Sequence, residues 1–241
     1  MILVTCGERV GLLTSCCDHE SHASQGYGDD RDDTEPQQDP RAVDVEWMTV
    51  IPRPDSPAQS LSQSLSAALR DCVILDCETT GLDPDNDRII EVAAVHLVDG
   101  DIVESVHSLV DPGIPLPQVI TGLTGMTDAD LSGQPPVSAV LDDLVTLTKD
   151  RTLVGHNVSF DMAFINGELR REGRASLEAD STLCTAESAR ELIPREKVGR
   201  YRLDRLAAVL GLAHSPVHRA QEDVLATVDL LQWLQRAAAD T

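Results

Sequence analysis

The sequence predicts an α/β protein in which one mixed sheet carries helices on its faces. Three apolar stretches follow one another from residue 72 onward, and shorter apolar stretches then alternate with helical patterns. Asp99-Gly100, between the second and third stretches, is typical of a β-hairpin turn, so the first three strands are expected to form an antiparallel meander. The later alternation of helices and strands favours parallel strands added to the same sheet.

The apolar periodicity places the individual elements. The expected strands are a first strand that starts with Cys72–Leu75 and leads into Asp76 and Glu78, followed by Ile89–Val98, Ile102–Val110, Thr152–Gly155 and Ser181–Thr185. The expected helices are Gln118–Leu123, Val137–Thr148, Ser159–Glu172, Ala186–Leu192, Leu203–Leu210 and Arg219–Ala238. Arg195–Arg202 is expected to be a basic loop and His214–His218 a loop before the last helix.

Composition limits the classes of function. The 241 residues allow one domain and a tail, and aromatic residues make up only 2% of them, so the core must consist of Val, Leu, Ile and Ala. A formal net charge of −22 argues against broad electrostatic binding to nucleic acid or to an anionic membrane. It still allows a small site that binds nucleic acid through metal ions. No apolar run approaches the ~20 residues that span a bilayer.

The first 70 residues differ in composition from the remainder. Residues 21–40 are rich in Asp, Gly, Gln and Ser, and residues 52–66 are rich in Pro, Ser and Gln. We therefore expect a disordered tail over residues 1–70, with at most a short helix near Leu61–Arg70, and a folded domain over residues 71–241. Met48 is an alternative start. The six cysteines form no Cys-x-x-Cys pair, which fits a reducing, cytoplasmic location.

The first strand ends in two acidic residues. Asp76 and Glu78 are two positions apart, so both point to one face of the strand and Cys77 points to the other. Two neighbouring carboxylates at the end of a buried strand repel each other, and a divalent cation is the usual compensation. The alternative is an exposed edge strand with two solvated acids.

Three later residues extend this pattern. Asp161 lies in the first turn of a predicted helix, where a carboxylate also stabilises the helix dipole. His218 precedes Asp223 by five positions, which are about 140° apart on an α-helix. The two side chains converge only if His218 lies on the loop ahead of the helix; otherwise His218 is a solvated loop residue.

Three motifs in order resemble the DEDDh family of 3′–5′ exonucleases, the relatives of the proofreading epsilon subunit of bacterial DNA polymerase III. They are Asp76-Cys77-Glu78-Thr79-Thr80-Gly81, His156-Asn157-Val158-Ser159-Phe160-Asp161 and His218-Arg219-Ala220-Gln221-Glu222-Asp223. The blocks Ile120–Thr124, Cys184-Thr185 and Tyr201–Leu206 between them also resemble the family. In the sister group of this family, a Tyr lies four residues before the last Asp. Arg219 occupies that position in this chain, so the group with His fits better.

The resemblance implies a ribonuclease H-like fold and phosphodiester hydrolysis with two metal ions. The ligands of two Mg²⁺ or Mn²⁺ ions would be the acidic residues Asp76, Glu78, Asp161 and Asp223, and His218 would be the general base. Residues near the terminal 3′ nucleotide would be Thr79, Asn157, Phe160 and Leu123, whereas His156 is expected to be structural. Arg200 and Arg202 belong to a basic cluster with Arg190, Arg195, Lys197 and Arg205, which is either a phosphate-contacting rim or a solvated loop.

These features predict an enzyme that shortens DNA from a single-stranded or frayed 3′ end. An RNA-trimming exoribonuclease of the same family is the alternative, because the motifs do not separate the two substrates. A non-catalytic nucleic-acid-binding module is a third hypothesis, although all five catalytic positions are filled. The chain ends at Thr241 soon after the last predicted helix, so we expect no polymerase-binding C-terminal extension, and the oligomeric state is not predicted.

Overall fold

The computed structural model describes residues 57–177 and 179–240. Residues 1–56 of the tail predicted over residues 1–70, with the alternative start Met48, lie outside this part of the chain. The described residues form a five-stranded sheet in the order β3-β2-β1-β4-β5. The strands are β1 (Asp71–Thr79), β2 (Ile89–Val98), β3 (Asp101–Leu109), β4 (Thr152–Gly155) and β5 (Ser181–Cys184). β1, β2 and β3 are antiparallel, and β4 and β5 run parallel to β1. The predicted mixed sheet is confirmed.

The helices follow the predicted order with two additions. They are α1 (Pro57–Arg70), α2 (Gln118–Thr124), α3 (Asp128–Leu131), α4 (Ser138–Thr148), α5 (Val158–Arg171), α6 (Thr185–Leu192), α7 (Arg195–Val198), α8 (Leu203–Leu210) and α9 (Ala220–Ala239). The sequence did not predict α3, which is a single turn with a Thr127–Asp130 capping box. The prediction of a loop over residues 195–202 was wrong for Arg195–Val198, which form α7. Pro194 precedes this helix, and Gly199 ends it with a φ of 70°.

The sheet separates two apolar cores. Alternate residues of β1 from Cys72 onward contribute to the core with α6, α8 and α9. Cys77 contributes to the other core, which is formed with α4 and α5. Because strand side chains alternate, Asp76 and Glu78 point toward the α9 side, so the predicted inward orientation of Cys77 is confirmed.

Helix α1 corrects the predicted extent of the tail. Leu65 and Ala68 are buried at 0% and 1% exposure in the same core as α9. The end of the helix is held by the β2–β3 turn, where Asp99 N donates to Arg70 O and Gly100 N donates to Leu69 O. Residues 57–70 are therefore part of the folded domain. The packing of α1 was not predicted, because its Ser- and Gln-rich sequence has only one narrow apolar face.

Among the described residues, no helix combines the length and the apolar character that crossing a bilayer requires.

Truncating Leu65 tests whether α1 belongs to the folded domain. We expect Leu65→Ala to lower the free energy of unfolding by about 2–5 kcal/mol, because the change leaves a cavity in a fully buried position. Ser64→Ala, at an exposed position of the same helix, is the control and should change stability by less than about 0.5 kcal/mol. Urea unfolding followed by circular dichroism measures both. Equal, small effects of the two changes would contradict the packing of α1.

Candidate active site

The end of β1 projects beyond its parallel neighbour. The pairing of β1 with β4 covers Cys72–Ile74, so Cys77 lies beyond the paired segment on that side. Asp161, in the first turn of α5, accepts a hydrogen bond from Cys77 N at 2.9 Å. Topology therefore brings Asp161 beside the strand that carries Asp76 and Glu78.

The turn after β1 is fixed to the same helix α5. Arg88 makes a bidentate ion pair with the buried Glu168, at 2.8 and 3.0 Å. Arg171 Nη2 donates to the carbonyl of Pro84 at 2.9 Å. At Gly167 a Cβ atom would lie 2.7 Å from the same carbonyl, so the close approach of turn and helix requires glycine. These contacts hold α5, and with it Asp161, in a fixed position relative to β1.

Four acidic side chains are buried at this edge of the sheet. Their exposed fractions are between 0% and 1% for Asp76, Glu78, Asp161 and Asp223. Neither carboxylate oxygen of Asp76 has a hydrogen-bond partner in the protein, and one oxygen each of Asp161 and Asp223 also lacks one. A buried carboxylate without a partner is costly, so this arrangement indicates a site built for a ligand that is not protein.

The pKa values of three of these carboxyl groups also indicate a site built for a ligand that is not protein. Burial raises the pKa of Asp76 well above its usual range, and the charges of Asp161 and Asp223 raise it further. Burial raises the pKa of Asp161 to about 7, although the hydrogen bond from Cys77 acts in the opposite direction. The pKa of Asp223 is raised by burial, against the hydrogen bond from Val217 N–H and the nearby His218. The carboxylates oppose one another's ionisation.

His218 lies on the loop ahead of α9, as convergence with Asp223 requires. Its φ of 58° is in the left-handed region, which His adopts more readily than most residues do. Potential ligand atoms of Glu78, His218 and Asp223 lie within 4.8 Å of one another. Val217 N donates to Asp223 at 2.9 Å, so the loop and the first turn of α9 hold each other. Residues from β1 and from the entry to α9 therefore meet at one point.

The residues present fit divalent cations. Mg²⁺ and Mn²⁺ prefer carboxylate oxygens, and Asp76, Asp161 and Asp223 each have at least one buried oxygen without a hydrogen-bond partner in the protein. A bound cation would supply the positive charge that the four buried acids lack.

The predicted contacts to the terminal nucleotide differ in their surroundings. Thr79 is fully buried, and its hydroxyl donates to Gly81 O at 2.6 Å. Asn157 is half-buried ahead of α5 with a φ of 78°. Phe160 is half-buried and packs on Phe164, with ring centroids 4.8 Å apart. Leu123 is half-buried on α2. Their roles stay predictions.

The basic cluster is linked to the end of β4. His156 is buried and bonds to Tyr201 O at 2.9 Å and to the Thr185 hydroxyl at 3.0 Å. Burial lowers the pKa of His156 to about 4, so this residue is a neutral structural bridge. Arg200 is exposed, and Arg202 pairs with Asp204 at 3.1 Å. The bridge places the segment with both arginines at the end of the sheet where α5 begins.

Sequence reasoning missed three groups around the site. Two are main-chain donors, Cys77 N and Val217 N, which no side-chain pattern reveals. The third is Glu91 on β2, which is fully buried directly opposite Glu78. The sequence could have indicated Glu91, because an acidic residue inside an apolar strand needs a partner when it is buried.

The raised pKa of Asp161 predicts how stability depends on pH without metal. Between its usual value of 3.8 and about 7, the folded state binds a proton that the unfolded state has lost, so rising pH reduces stability. Asp161→Asn keeps an acceptor for Cys77 N–H but removes this titration. In chelator, we expect the stability of the wild type relative to Asp161→Asn to fall as the pH rises from 3.8 to about 7, by at most about 1.4 kcal/mol per pH unit, and to level off above that range.

Urea unfolding of both proteins at several pH values measures this difference. A constant difference across the range would contradict the raised pKa.

Comparison with known proteins supports the same reading of the motifs. The model of the exonuclease (RNase T) family matches residues 73–231. The DNA polymerase III epsilon subunit of Aquifex aeolicus (strain VF5) is 36% identical over 158 residues, which are 66% of this chain and 77% of that subunit. The PolC-type DNA polymerase III of Clostridium perfringens is 37% identical over 161 residues, which are 67% of this chain but only 11% of that polymerase.

Solved structures of exonucleases also match this chain. Exonuclease X, solved in complex with 5′ overhanging duplex DNA, matches with a TM-score of 0.56 and 26% identity over 70% of this chain and 94% of its own. Exonuclease I of E. coli, solved with a dA16 oligonucleotide, matches with a TM-score of 0.60 and 21% identity over 70% of this chain and 42% of its own, which shows the shared fold. The resemblance inferred from the three motifs is confirmed: the chain belongs to the exonuclease (RNase T) family and has its ribonuclease H-like fold.

Proposed function

We propose that the protein is a metal-dependent exonuclease that removes nucleoside 5′-monophosphates from the 3′ end of DNA. The observation that carries the proposal is the group of four buried carboxylates beside His218, in which oxygens of Asp76, Asp161 and Asp223 have no hydrogen-bond partner in the protein. Stability alone does not favour such a group, because each buried unpaired charge is costly. Membership of the exonuclease family supports the same chemistry.

Asp76, Glu78, Asp161 and Asp223 would hold two Mg²⁺ or Mn²⁺ ions. When bound, two such ions stabilise the charge that develops on the attacking and the leaving oxygen of a phosphodiester. The chain contributes the fixed geometry: β1 supplies two carboxylates from one strand face, and α5 and α9 supply one each from opposite sides of the sheet. Imidazole is a less suitable ligand for Mg²⁺ than carboxylate, which leaves His218 for proton transfer.

His218 would act as the general base. It accepts the proton of the attacking water while the bond from phosphorus to the 3′ oxygen of the preceding nucleotide breaks. Potential ligand atoms of Glu78 and Asp223 lie within 4.8 Å of a ring nitrogen of His218, so the imidazole lies beside the proposed metal site. Such a base typically contributes ~10²–10⁴-fold in rate.

The similar proteins support DNA as the proposed substrate. Exonuclease X was solved with 5′ overhanging duplex DNA, one relative is the epsilon subunit of DNA polymerase III, and another is a PolC-type DNA polymerase III. Arg200 and Arg202 would contact phosphates of the incoming strand, and Thr79, Asn157, Phe160 and Leu123 would surround the terminal nucleotide. We propose that the exonuclease domain comprises residues 71–241 together with α1. A reducing cytoplasm would suit the free thiols of Cys72, Cys77 and Cys184.

A digestion series tests the proposal. Single-stranded DNA, duplex DNA and RNA, each labelled at the 5′ end, are incubated with purified protein and Mg²⁺, Mn²⁺ or chelator. We expect a ladder of DNA that shortens from the 3′ end only when metal is present. Internal cuts, or cleavage that chelator does not affect, would refute the metal-dependent exonuclease. Faster shortening of RNA than of DNA would assign the enzyme to RNA instead.

Two substitutions separate the metal site from the base. We expect Asp76→Asn to abolish shortening, because it removes a carboxylate from the metal site while keeping its shape. His218→Asn should lower kcat by about 10²–10⁴-fold, since Asn tolerates the positive φ but cannot serve as the base. Steady-state kinetics with 5′-labelled DNA measure both effects.

His214→Ala is the matched control for His218. His214 lies on the same loop but bonds to Asp229 at 3.0 Å, and its loss should leave kcat within about twofold. If His218→Asn were as active as His214→Ala, the role of His218 as the base would be wrong.

A further inference from the structure

Glu91 is a fifth buried acid at the edge of the site. It lies on β2 directly opposite Glu78 of β1, so both side chains project from the same face of the sheet. Its exposed fraction is 0%. Neither carboxylate oxygen of Asp76 has a hydrogen-bond partner in the protein, whereas both oxygens of Glu91 do, so Glu91 is suited to hold protein groups and not a cation.

The partners of Glu91 belong mainly to the start of α9. Arg219 binds it through two nitrogens, at 2.9 and 3.1 Å, and Ala220 N donates to it at 3.2 Å. His107 of β3 lies 2.8 Å from Oε1 of Glu91, the oxygen that Arg219 Nη2 also binds. Burial alone would raise the pKa of Glu91, but the hydrogen bonds from Arg219 and His107 outweigh burial and lower it. Glu91 is therefore an anion that fixes the helix start to the sheet.

The anchored residues lie between the two functional groups of this segment. Arg219 directly follows His218, and Ala220 is three positions before Asp223. The His218 backbone adopts a positive φ, which a residue other than glycine keeps only when its surroundings hold it there. Val217 N–H holds one side of the loop through Asp223, and Glu91 holds the other side through Arg219. Glu91 therefore supplies the anchor on the Arg219 side of this segment.

We propose that Glu91 is a positioning residue for the exonuclease reaction: by binding Arg219 and the first N–H of α9, it fixes His218 and Asp223 relative to the carboxylates of β1. The proposal rests on the proposed function and adds to it a carboxylate that holds neither metal nor substrate. It also gives Arg219 a role within the third motif. The guanidinium neutralises Glu91, so the anchor adds no uncompensated negative charge beside Glu78.

The first test measures metal affinity and does not depend on turnover. Mn²⁺ binding to the wild type, Glu91→Gln and Leu65→Ala is followed by electron paramagnetic resonance. We expect Glu91→Gln to weaken Mn²⁺ binding by about 10–100-fold, as other residues that orient metal ligands do. Leu65→Ala, which destabilises the fold away from the site, should bind Mn²⁺ like the wild type. Unchanged affinity in Glu91→Gln would overturn the proposal.

The second test is a double-mutant cycle. Glu91→Gln alone should lower kcat by about 10–100-fold at saturating metal, with little change in KM for DNA. In a His218→Asn background at saturating metal, Glu91→Gln should lower kcat by less than about threefold, because His218 is already absent and saturating metal compensates for weaker binding at Asp223. Losses that multiply in the double variant would show a general structural effect and would also overturn the proposal.

Arg219→Lys provides a second variant at a less buried position. It keeps the positive charge beside Glu91 but loses the bidentate geometry. We expect a loss of kcat and of Mn²⁺ affinity in the same direction as for Glu91→Gln but smaller, with circular dichroism unchanged. If the wild type binds Mn²⁺ but degrades no nucleic acid, the proposed function fails, and the Mn²⁺ comparison still decides whether Glu91 positions Asp223.

Discussion

The mutual repulsion of four buried carboxylates is the constraint on which this site depends. Asp76, Glu78, Asp161 and Asp223 come from three different elements, yet each is almost completely removed from water. Folding brings them together against their own electrostatic preference, as the raised pKa values of three of them indicate. A protein that only needed stability would place apolar or paired residues there.

The surrounding structure supplies the compensation that protein groups can offer. Cys77 N–H and Val217 N–H each satisfy one oxygen of a carboxylate, so Asp161 and Asp223 are oriented by main-chain donors. The early end of the β1–β4 pairing makes the first of these donors available. Glu91 and Arg219 form a neutral pair next to the four acids and tie α9 to the sheet. What remains uncompensated is negative charge, which a divalent cation can balance.

Much of this arrangement was predictable from sequence, because it follows from local periodicity and motif order. Strand alternation placed Asp76 and Glu78 on one face and Cys77 on the other. The predicted loop His214–His218 ahead of the last helix placed His218 where it could converge with Asp223. Helix α1 was not predicted to pack, because its apolar face is narrow within a Ser-rich stretch. Glu91 was missed because its partners are distant in sequence. The register of β1 with β2, together with the docking of α9, brings Arg219 to it.

Thermal unfolding of the wild type and Asp76→Asn, with and without Mn²⁺ at neutral pH, tests the central claim most directly. If repulsion among the carboxylates is balanced by metal, Mn²⁺ should raise the Tm of the wild type, by the equivalent of about 2.7 kcal/mol at a hundredfold excess over Kd. Asp76→Asn should have a higher Tm than the wild type in chelator and gain little from Mn²⁺. A wild type that Mn²⁺ does not stabilise, or an Asp76→Asn variant less stable than the wild type in chelator, would contradict the account.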